Sequence, residues 1–264
     1  MTERVALVTG ASRGIGAAIA KRFARGGMAV AISARTQHEG EHPLEGSLER
    51  TAEQILEHGG RVLSVAADLA KQADRARLID TVERELGPIE VLVNNAAVTY
   101  FEPVLDFSER HFALMFEVQV RAPFELAQRL LPGMRERRRG WILNISSRAA
   151  VHPAGPPYPV RVGSTVYGMC KAALERFTTG LAAEAYGDGI AVNVLSPSGL
   201  VPTPGVVFHG LTRGMPEERL EAPEVMAEAA YALCTGDPAA LTGRVAYARP
   251  LLEELGKAVP ALTR

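Results

Sequence analysis

Cysteine is scarce in this sequence. Cys170 and Cys234 are the only two in 264 residues, which excludes a disulfide framework and a cysteine-based metal site. A reduced, cytoplasmic setting is the expectation. Charge of one sign is lacking as well: 29 Lys and Arg stand against 30 Asp and Glu, for a net charge of −1. No global field therefore favours nucleic acid or an anionic membrane surface. No apolar run is long enough to span a bilayer, and the strand-like run at residues 4–9 leaves no room for a signal peptide ahead of it. Neither internal repeats nor a domain linker can be found. With 47% hydrophobic and 22% charged residues, the composition suits one ordinary globular domain, 1–264.

What is present is a regular alternation of strands and helices. Val5 to Val8 is a short continuous apolar run, as in a strand buried on both faces. Thr9-Gly-Ala-Ser-Arg-Gly-Ile-Gly16 follows, and then an apolar stripe at helical spacing from Ile15 to Phe23, closed by Gly26-Gly27. Strand, glycine turn, helix is the context in which a glycine-rich loop binds a dinucleotide: glycines admit the pyrophosphate to the backbone, and the helix N-terminus offers free N–H groups. Further strands are expected at 28–34, 61–66, 89–93, 141–145, 190–195 and 244–247, with helices at 47–58, 72–86, 109–136 and 222–234 and one carrying Tyr167 and Lys171. Pro123 and Pro132 should bend or locally end the fourth of these patterns. Segment 36–47 reads as a polar loop, and its His38 and His42 as exposed loop residues rather than metal ligands; no metal is expected. Segment 197–221 reads as irregular. Together these make a Rossmann-like, doubly wound α/β fold, a parallel sheet with helices on both faces. Its ligands belong at the carboxyl ends of the strands, where the unusual residues gather.

Tyr167-Gly-Met-Cys-Lys171 carries the chemistry. On a helix, positions i and i+4 share a face. A cation about 4 Å from a phenol is worth roughly 4 kcal/mol at an effective dielectric of about 20, or about three pKa units. Lys171 is therefore expected to lower the Tyr167 phenol into the range of general acid–base work. Cys170 is one step off that face and reads as packing.

Thr9-Gly-x3-Gly14-Ile-Gly16, Asn94-Asn-Ala96, Asn144-Ile-Ser-Ser147 and Tyr167-x3-Lys171, in that order and each tied to a predicted element, resemble the short-chain dehydrogenase/reductase family in its compact single-domain branch. The resemblance covers about residues 4–247. It implies that Tyr167 exchanges the proton of the substrate oxygen, that Ser147 hydrogen-bonds the same oxygen, and that Lys171 assists Tyr167 and binds the nicotinamide ribose. It implies cofactor contacts at Gly10, Ser12, Arg13, Gly14, Ile15, Gly16, Arg35, Asp68, Leu69, Asn95, Ala96, Pro197, Val201 and Thr203, besides Tyr167 and Lys171. Asp68 has a second reading, as a loop aspartate starting the next helix. Homo-oligomers, dimers or tetramers, are usual for the family.

The departures from the pattern are specific. Gln119 stands where the family often has an asparagine holding a relay water behind the lysine. Ala97 replaces a common glycine. The interval from Ser147 to Tyr167 is long and proline-rich. Pro197-Ser-Gly-Leu-Val-Pro-Thr203 carries one residue more than the family's nicotinamide contact. The second strand ends Ser33-Ala34-Arg35 without an acid, so a ribose 2′-phosphate would meet Arg35 and Arg13. Glu39 and Glu41 lie further along the loop. NADP(H) is expected over NAD(H). A lid is expected within 198–221. With Val206, Val207, Phe208 and Leu211, and with Val151, Tyr158 and Val160 of the proline loop, it suggests an apolar ketone or secondary alcohol as substrate. Arg148, Arg161 and Arg213 offer an acidic substrate as the other possibility. A catalytically silent dinucleotide-binding protein on the same fold is the rival function. An epimerase of the extended branch would need a larger C-terminal domain.

Overall fold

Seven short apolar segments become the strands of one sheet. A computed structural model describes residues 3–158 and 163–260; Val160 and Arg161, proposed above to face substrate, lie outside the described residues. The strands are β1 (Val5–Thr9), β2 (Ala29–Ala34), β3 (Val62–Ala66), β4 (Ile89–Asn94), β5 (Gly140–Ile145), β6 (Ile190–Ser196) and β7 (Val245–Tyr247). They lie in the order β3-β2-β1-β4-β5-β6-β7, and every pairing is parallel. The order reverses between β1 and β4, which opens a crevice outside their carboxyl ends.

The helices are α1 (Gly14–Arg25), α2 (Leu48–Leu56), α3 (Gln72–Leu86), α4 (Glu109–Phe116), α5 (Ala122–Arg137), α6 (Thr165–Ala185), α7 (Pro204–Phe208), α8 (Pro223–Thr235) and α9 (Ala248–Glu254). Alternation along each strand splits the core in two. Ala6 and Val8 face a layer made by α1, α2, α8 and α9, containing Ile19, Phe23, Ile55, Met226 and Leu251. Val5 and Leu7 face the opposite layer of α3, α5 and α6, with Leu78, Val82, Leu126 and Leu181.

Three elements differ from the sequence reading. The expected helix at 109–136 is two α-helices joined by a π-helical turn, Glu117–Arg121. In a continuous α-helix, Pro123 would clash with the Gln119 carbonyl, and the wider turn relieves that. Pro132 lies inside α5 without ending it. Segment 197–221 contains the short helix α7, capped by the Thr203 hydroxyl. The helix α9 was missed: Ala248-Arg-Pro-Leu-Leu-Glu-Glu is too short for a periodic signal, and its buried residues are Ala248, Leu251 and Leu252.

The π-turn is anchored by Arg75 of α3, which is 1% exposed. Its guanidinium donates to Glu117 at 2.8 Å, to Glu125 at 2.7 Å and to the Leu69 carbonyl at 2.6 Å. One buried fork thus ties α3, the π-turn, α5 and the loop after β3. Arg75→Met keeps the length but leaves both carboxylates without their buried partner. The expected cost is about 3 kcal/mol, or a melting temperature lower by roughly 10 °C, measured by thermal denaturation.

Candidate active site

The turn after β1 and the end of β4 approach to backbone contact. The Asn95 side-chain amide donates to the Thr9 carbonyl at 2.9 Å and to the Gly10 carbonyl at 3.1 Å. The Thr9 hydroxyl accepts from the Asn95 and Ala96 N–H groups at 3.1 and 3.2 Å. A Cβ on Gly10, which has φ +65°, would lie 2.7 Å from the Ala96 Cα, and a Cβ on Gly16 would collide with the Asn95 amide and the Gly10 carbonyl. Helix α1 then begins with no side-chain cap and no acid in its first turn. Its leading N–H groups are left to an anion.

Beside this turn runs a cleft of about 1700 Å³. Its wall contains Gly10, Ser12, Arg13, Gly14, Ile15, Arg35, Asp68, Leu69, Asn95, Ala96, Ser147, Tyr167, Lys171, Pro197, Val201 and Thr203. Every residue expected to act in catalysis or to hold the cofactor is there except two; of those expected to face substrate, Val151, Tyr158, Val207 and Arg213 are exposed and lie off this wall. Gly16 is buried beneath the turn, where it permits the close approach. Gln119 is 1% exposed in the π-turn. Its Nε2 donates to the Val98 carbonyl at 2.9 Å, and its Oε1 is buried without a partner among the described residues.

Helix α6 is hydrogen-bonded to the end of β5 at three points. Asn94 donates to Asn144 at 2.8 Å, and Asn144 to the Thr178 hydroxyl at 2.8 Å. Ser146 donates to Glu175 at 2.7 Å. Lys171 Nζ donates to the Ile145 carbonyl at 2.9 Å. Gly168 lets the helix rest on the Ala149 carbonyl, which a Cβ there would meet at 2.6 Å. These contacts bring Tyr167 against Ser147. The Ser147 oxygen accepts from the Ala149 N–H at 3.2 Å, and its hydroxyl hydrogen-bonds the Tyr167 phenol.

The electrostatics correct one expectation. Lys171 does not pull the Tyr167 phenol down: burial holds it above its ordinary value of 10, against a hydrogen bond with Ser147 that lowers it. The lysine is itself 3% exposed, and burial brings its pKa down to about 8, with Cys170 and Glu175 acting the other way. A cation this desolvated is disfavoured; its nitrogen lies 5.5 Å from the Tyr167 ring centre. Cys170 is buried packing, its thiol pushed up to about 11.

Other residues land differently from the sequence reading. Asp68 is not the cap of α3, which starts after Lys71; it accepts from the Ala70 N–H at 3.1 Å and faces the cleft. Thr203 caps α7 and packs against Gly14. His42, read as an exposed loop residue, is half-buried in the cleft wall; the length of its loop was the available signal. Glu221, 1% exposed and on the same wall, accepts from the Ser198 N–H at 3.1 Å. Thr9 entered the sequence reading only as the head of the glycine motif, and Glu221 gave no sequence signal. Among the described residues no group of three or more His, Cys, Asp or Glu is placed to hold a metal ion, and no helix is long and apolar enough to cross a membrane.

A doubly wound sheet with a glycine turn at its first strand and a Ser-Tyr-Lys group at the same edge defines a dinucleotide-dependent oxidoreductase class. The short chain dehydrogenase family matches residues 4–207, and the chain belongs to that family. It is 35% identical to a short chain dehydrogenase of Pseudocercospora fijiensis over 74% of this chain and 59% of that protein; the chain therefore spans less than two thirds of that relative's length. It is 32% identical to the 4-formylbenzenesulfonate dehydrogenase of Comamonas testosteroni, over 92% of this chain and 95% of that one. The L-sorbose reductase of Gluconobacter frateurii, solved with NADPH and L-sorbose, superposes with a TM-score of 0.80 at 30% identity over 94% and 95% of the two chains. Other solved relatives hold NADP. The chain is an oxidoreductase of this family.

The burial of Lys171 has a pH signature. Between about pH 8 and its unfolded value of 10.5, the unfolded chain keeps a proton that the folded one has released, so this group's contribution makes stability rise with pH in that window. Urea denaturation at pH 7.5 and pH 9.5 is expected to show this rise in the wild type relative to Lys171→Met, which lacks the group.

Proposed function

We propose that the protein transfers a hydride between NADP(H) and a ketone or secondary alcohol, and that its substrate is an apolar carbonyl compound. The observation that carries the reaction is the convergence of Ser147, Tyr167 and Lys171 on one wall of the cleft, at the carboxyl end of β5. The residues fit a dinucleotide: a Cβ would fill the cradle at Gly10 and Gly16, and α1 begins uncapped beside it. Gly10, Ser12, Gly14, Ile15 and Gly16 would hold the pyrophosphate, and Arg13 and Arg35 the 2′-phosphate. Asp68, Leu69, Asn95, Ala96, Pro197, Val201 and Thr203 would line the rest of its course.

When bound, the nicotinamide supplies or takes the hydride. The chain's part is the handling of proton and charge. Tyr167 Oη gives its proton to the carbonyl oxygen as negative charge builds there, and Ser147 Oγ donates a second bond to the same oxygen. A phenol held high is a competent acid for an alkoxide, whose own affinity for protons is far greater. Lys171 binds the ribose hydroxyls and sets its charge beside the phenolate left behind. Gln119 Oε1 is a buried acceptor with no protein partner among the described residues, suited to a water behind Lys171 that returns the proton. A silent binder would have no use for the intact Ser-Tyr-Lys group.

NADP(H) is favoured because the acids of the β2–α2 loop do not reach the cleft wall. Glu41 instead accepts from the Gln37 and His38 N–H groups and Glu39 from that of Gly46. An apolar substrate is favoured by the walls around Tyr167. Phe101 lies edge-on to Tyr167 with ring centres 6.0 Å apart and to His209 at 5.2 Å, and Leu114, Val118, Phe208, Leu211 and Met215 continue that surface. Residues 198–221 would act as the lid. A cytoplasmic homo-oligomer is our reading of the assembly, with the exposed Phe112 and Phe124 of α4 and α5 as its apolar contact.

The reaction is tested with a carbonyl panel and both reduced cofactors. Tyr167→Phe should lose about 10³-fold in kcat/KM; full activity in that variant removes the mechanism. NADPH should exceed NADH in kcat/KM, and parity would remove the cofactor assignment. Gln119→Leu should lower kcat with KM little changed, and Gln119→Asn should restore much of it.

A further inference from the structure

The loop between β2 and α2 folds back onto the glycine turn and carries a histidine to the cleft. Arg13 Nη2 donates to the Thr36 hydroxyl at 3.1 Å and to the Gly46 carbonyl at 2.8 Å. Gly46 has φ +101°, and a Cβ on it would lie 2.6 Å from the Ser12 carbonyl; the loop and the turn touch because this residue has no side chain. His42 Nδ1 takes the Arg13 Nη1 at 3.2 Å and the Leu44 N–H at 3.1 Å. A ring nitrogen that accepts twice carries no proton, so the proton of the neutral ring is on Nε2. Nε2 has no hydrogen-bond partner among the described residues, and the ring stands in the cleft wall with Arg13, Arg35 and Thr36.

The charged groups facing His42 are Arg13 from α1 and Arg35 from the end of β2. Within its own loop, Glu39 is bonded to the Gly46 N–H and Glu41 to those of Gln37 and His38, and Glu45 is exposed. From the lid side the loop meets the uncharged Gly205. Burial and the two arginines hold the imidazole below its ordinary value of 6.5.

We propose that His42 is a specificity-determining residue for the cofactor: the Nε2–H of its neutral ring is a third donor to the ribose 2′-phosphate, beside Arg13 and Arg35. This rests on the NADP(H) reading. Nδ1 already accepts from Arg13 and Leu44, so the ring meets the phosphate as a neutral donor and takes up no proton. A phosphate monoester itself protonates near about pH 6, which weakens binding in wild type and variants alike. The ratio of wild type to variant is therefore the quantity to read. NAD(H), which lacks the phosphate, is insensitive to the ring.

The test is titration of the full chain with NADP⁺ and NAD⁺ at pH 6.5 and 8 by calorimetry. His42→Ala should weaken NADP⁺ roughly tenfold, the effect of a hydrogen bond to a charged group, and leave NAD⁺ unchanged. His42→Gln keeps an N–H donor and should retain most of the affinity. Equal weakening of both cofactors by His42→Ala overturns the proposal, since the ring would then only support the loop. Unchanged NADP⁺ affinity in both variants overturns it too. Wild type that binds NAD⁺ as tightly as NADP⁺ removes the cofactor reading and His42 with it. A wild-type preference undiminished by His42→Ala removes the His42 role alone.

Discussion

The Asn95 side-chain amide, shared between the Thr9 and Gly10 carbonyls, is the contact on which the cleft depends. In a parallel sheet the strand ends splay where the topology reverses, and the chain leaves β1 and β4 in different directions. Here one amide bridges the two exits and satisfies two backbone carbonyls that the ladder leaves over. Its position excludes a Cβ at Gly10 and at Gly16. The glycines that admit a pyrophosphate to the backbone are thus also required by the protein's own packing. Thr9 completes the bridge from beneath: its hydroxyl accepts from two N–H groups and donates to the Val93 carbonyl at 3.2 Å. The floor of the site is set before any ligand arrives, as preorganisation requires.

The catalytic helix is held by a different logic. Polar side chains at the end of β5 pin α6 through Asn144–Thr178, Ser146–Glu175 and the Lys171–Ile145 bond. The lysine is buried at a cost, which appears as a depressed pKa of about 8. A buried cation with one carbonyl partner is poorly satisfied, because an ammonium has three donors. The same is true of the phenol, whose burial disfavours its anion. Both groups are left wanting partners of the kind that ribose hydroxyls and a carbonyl oxygen offer. Destabilised groups facing a cleft are what a site for polar ligands requires.

The elements legible in the sequence were those with strong periodic patterns. Buried strands read as apolar runs, and α1, α3 and α8 as stripes between breakers. Site residues were legible where a motif fixed both residue type and place, as at Tyr167, Lys171 and Ser147. What was not legible depends on contacts between distant segments. Helical spacing put Tyr167 and Lys171 on one face but said nothing of how deeply α6 is buried, and burial reversed the direction of the phenol's shift. Glu221 contacts Ser198 across 23 residues of irregular chain. The π-turn at Glu117–Arg121 was half visible, since Pro123 announced a disturbance without specifying its form. His42 was misread because loop composition suggested exposure, and only the fold shows the loop lying against Arg13.

The two long connections that flank the cleft are not independent. A Cβ on Gly205 of α7 would lie 4.0 Å from Leu44 Cδ1, so the loop over the Arg13 end reaches the proposed lid. From the other side, Phe101 touches both Tyr167 and His209, joining the same lid to the proton donor. The base of the lid is fixed, because Leu200 and Leu220 pair and the Leu200 N–H donates to the Arg219 carbonyl at 2.7 Å. Between these stems the exposed Val207, Phe208 and Leu211 have little to hold them. A segment rooted at its stems and lightly packed at its tip can open without disturbing the sheet. Closing it would bring the His42 loop and the Phe101 wall against one surface, so that order at the phosphate end would favour order at the carbonyl end. The 36–47 loop and the Phe101 wall would in this way act on one another through the lid rather than through the floor beneath.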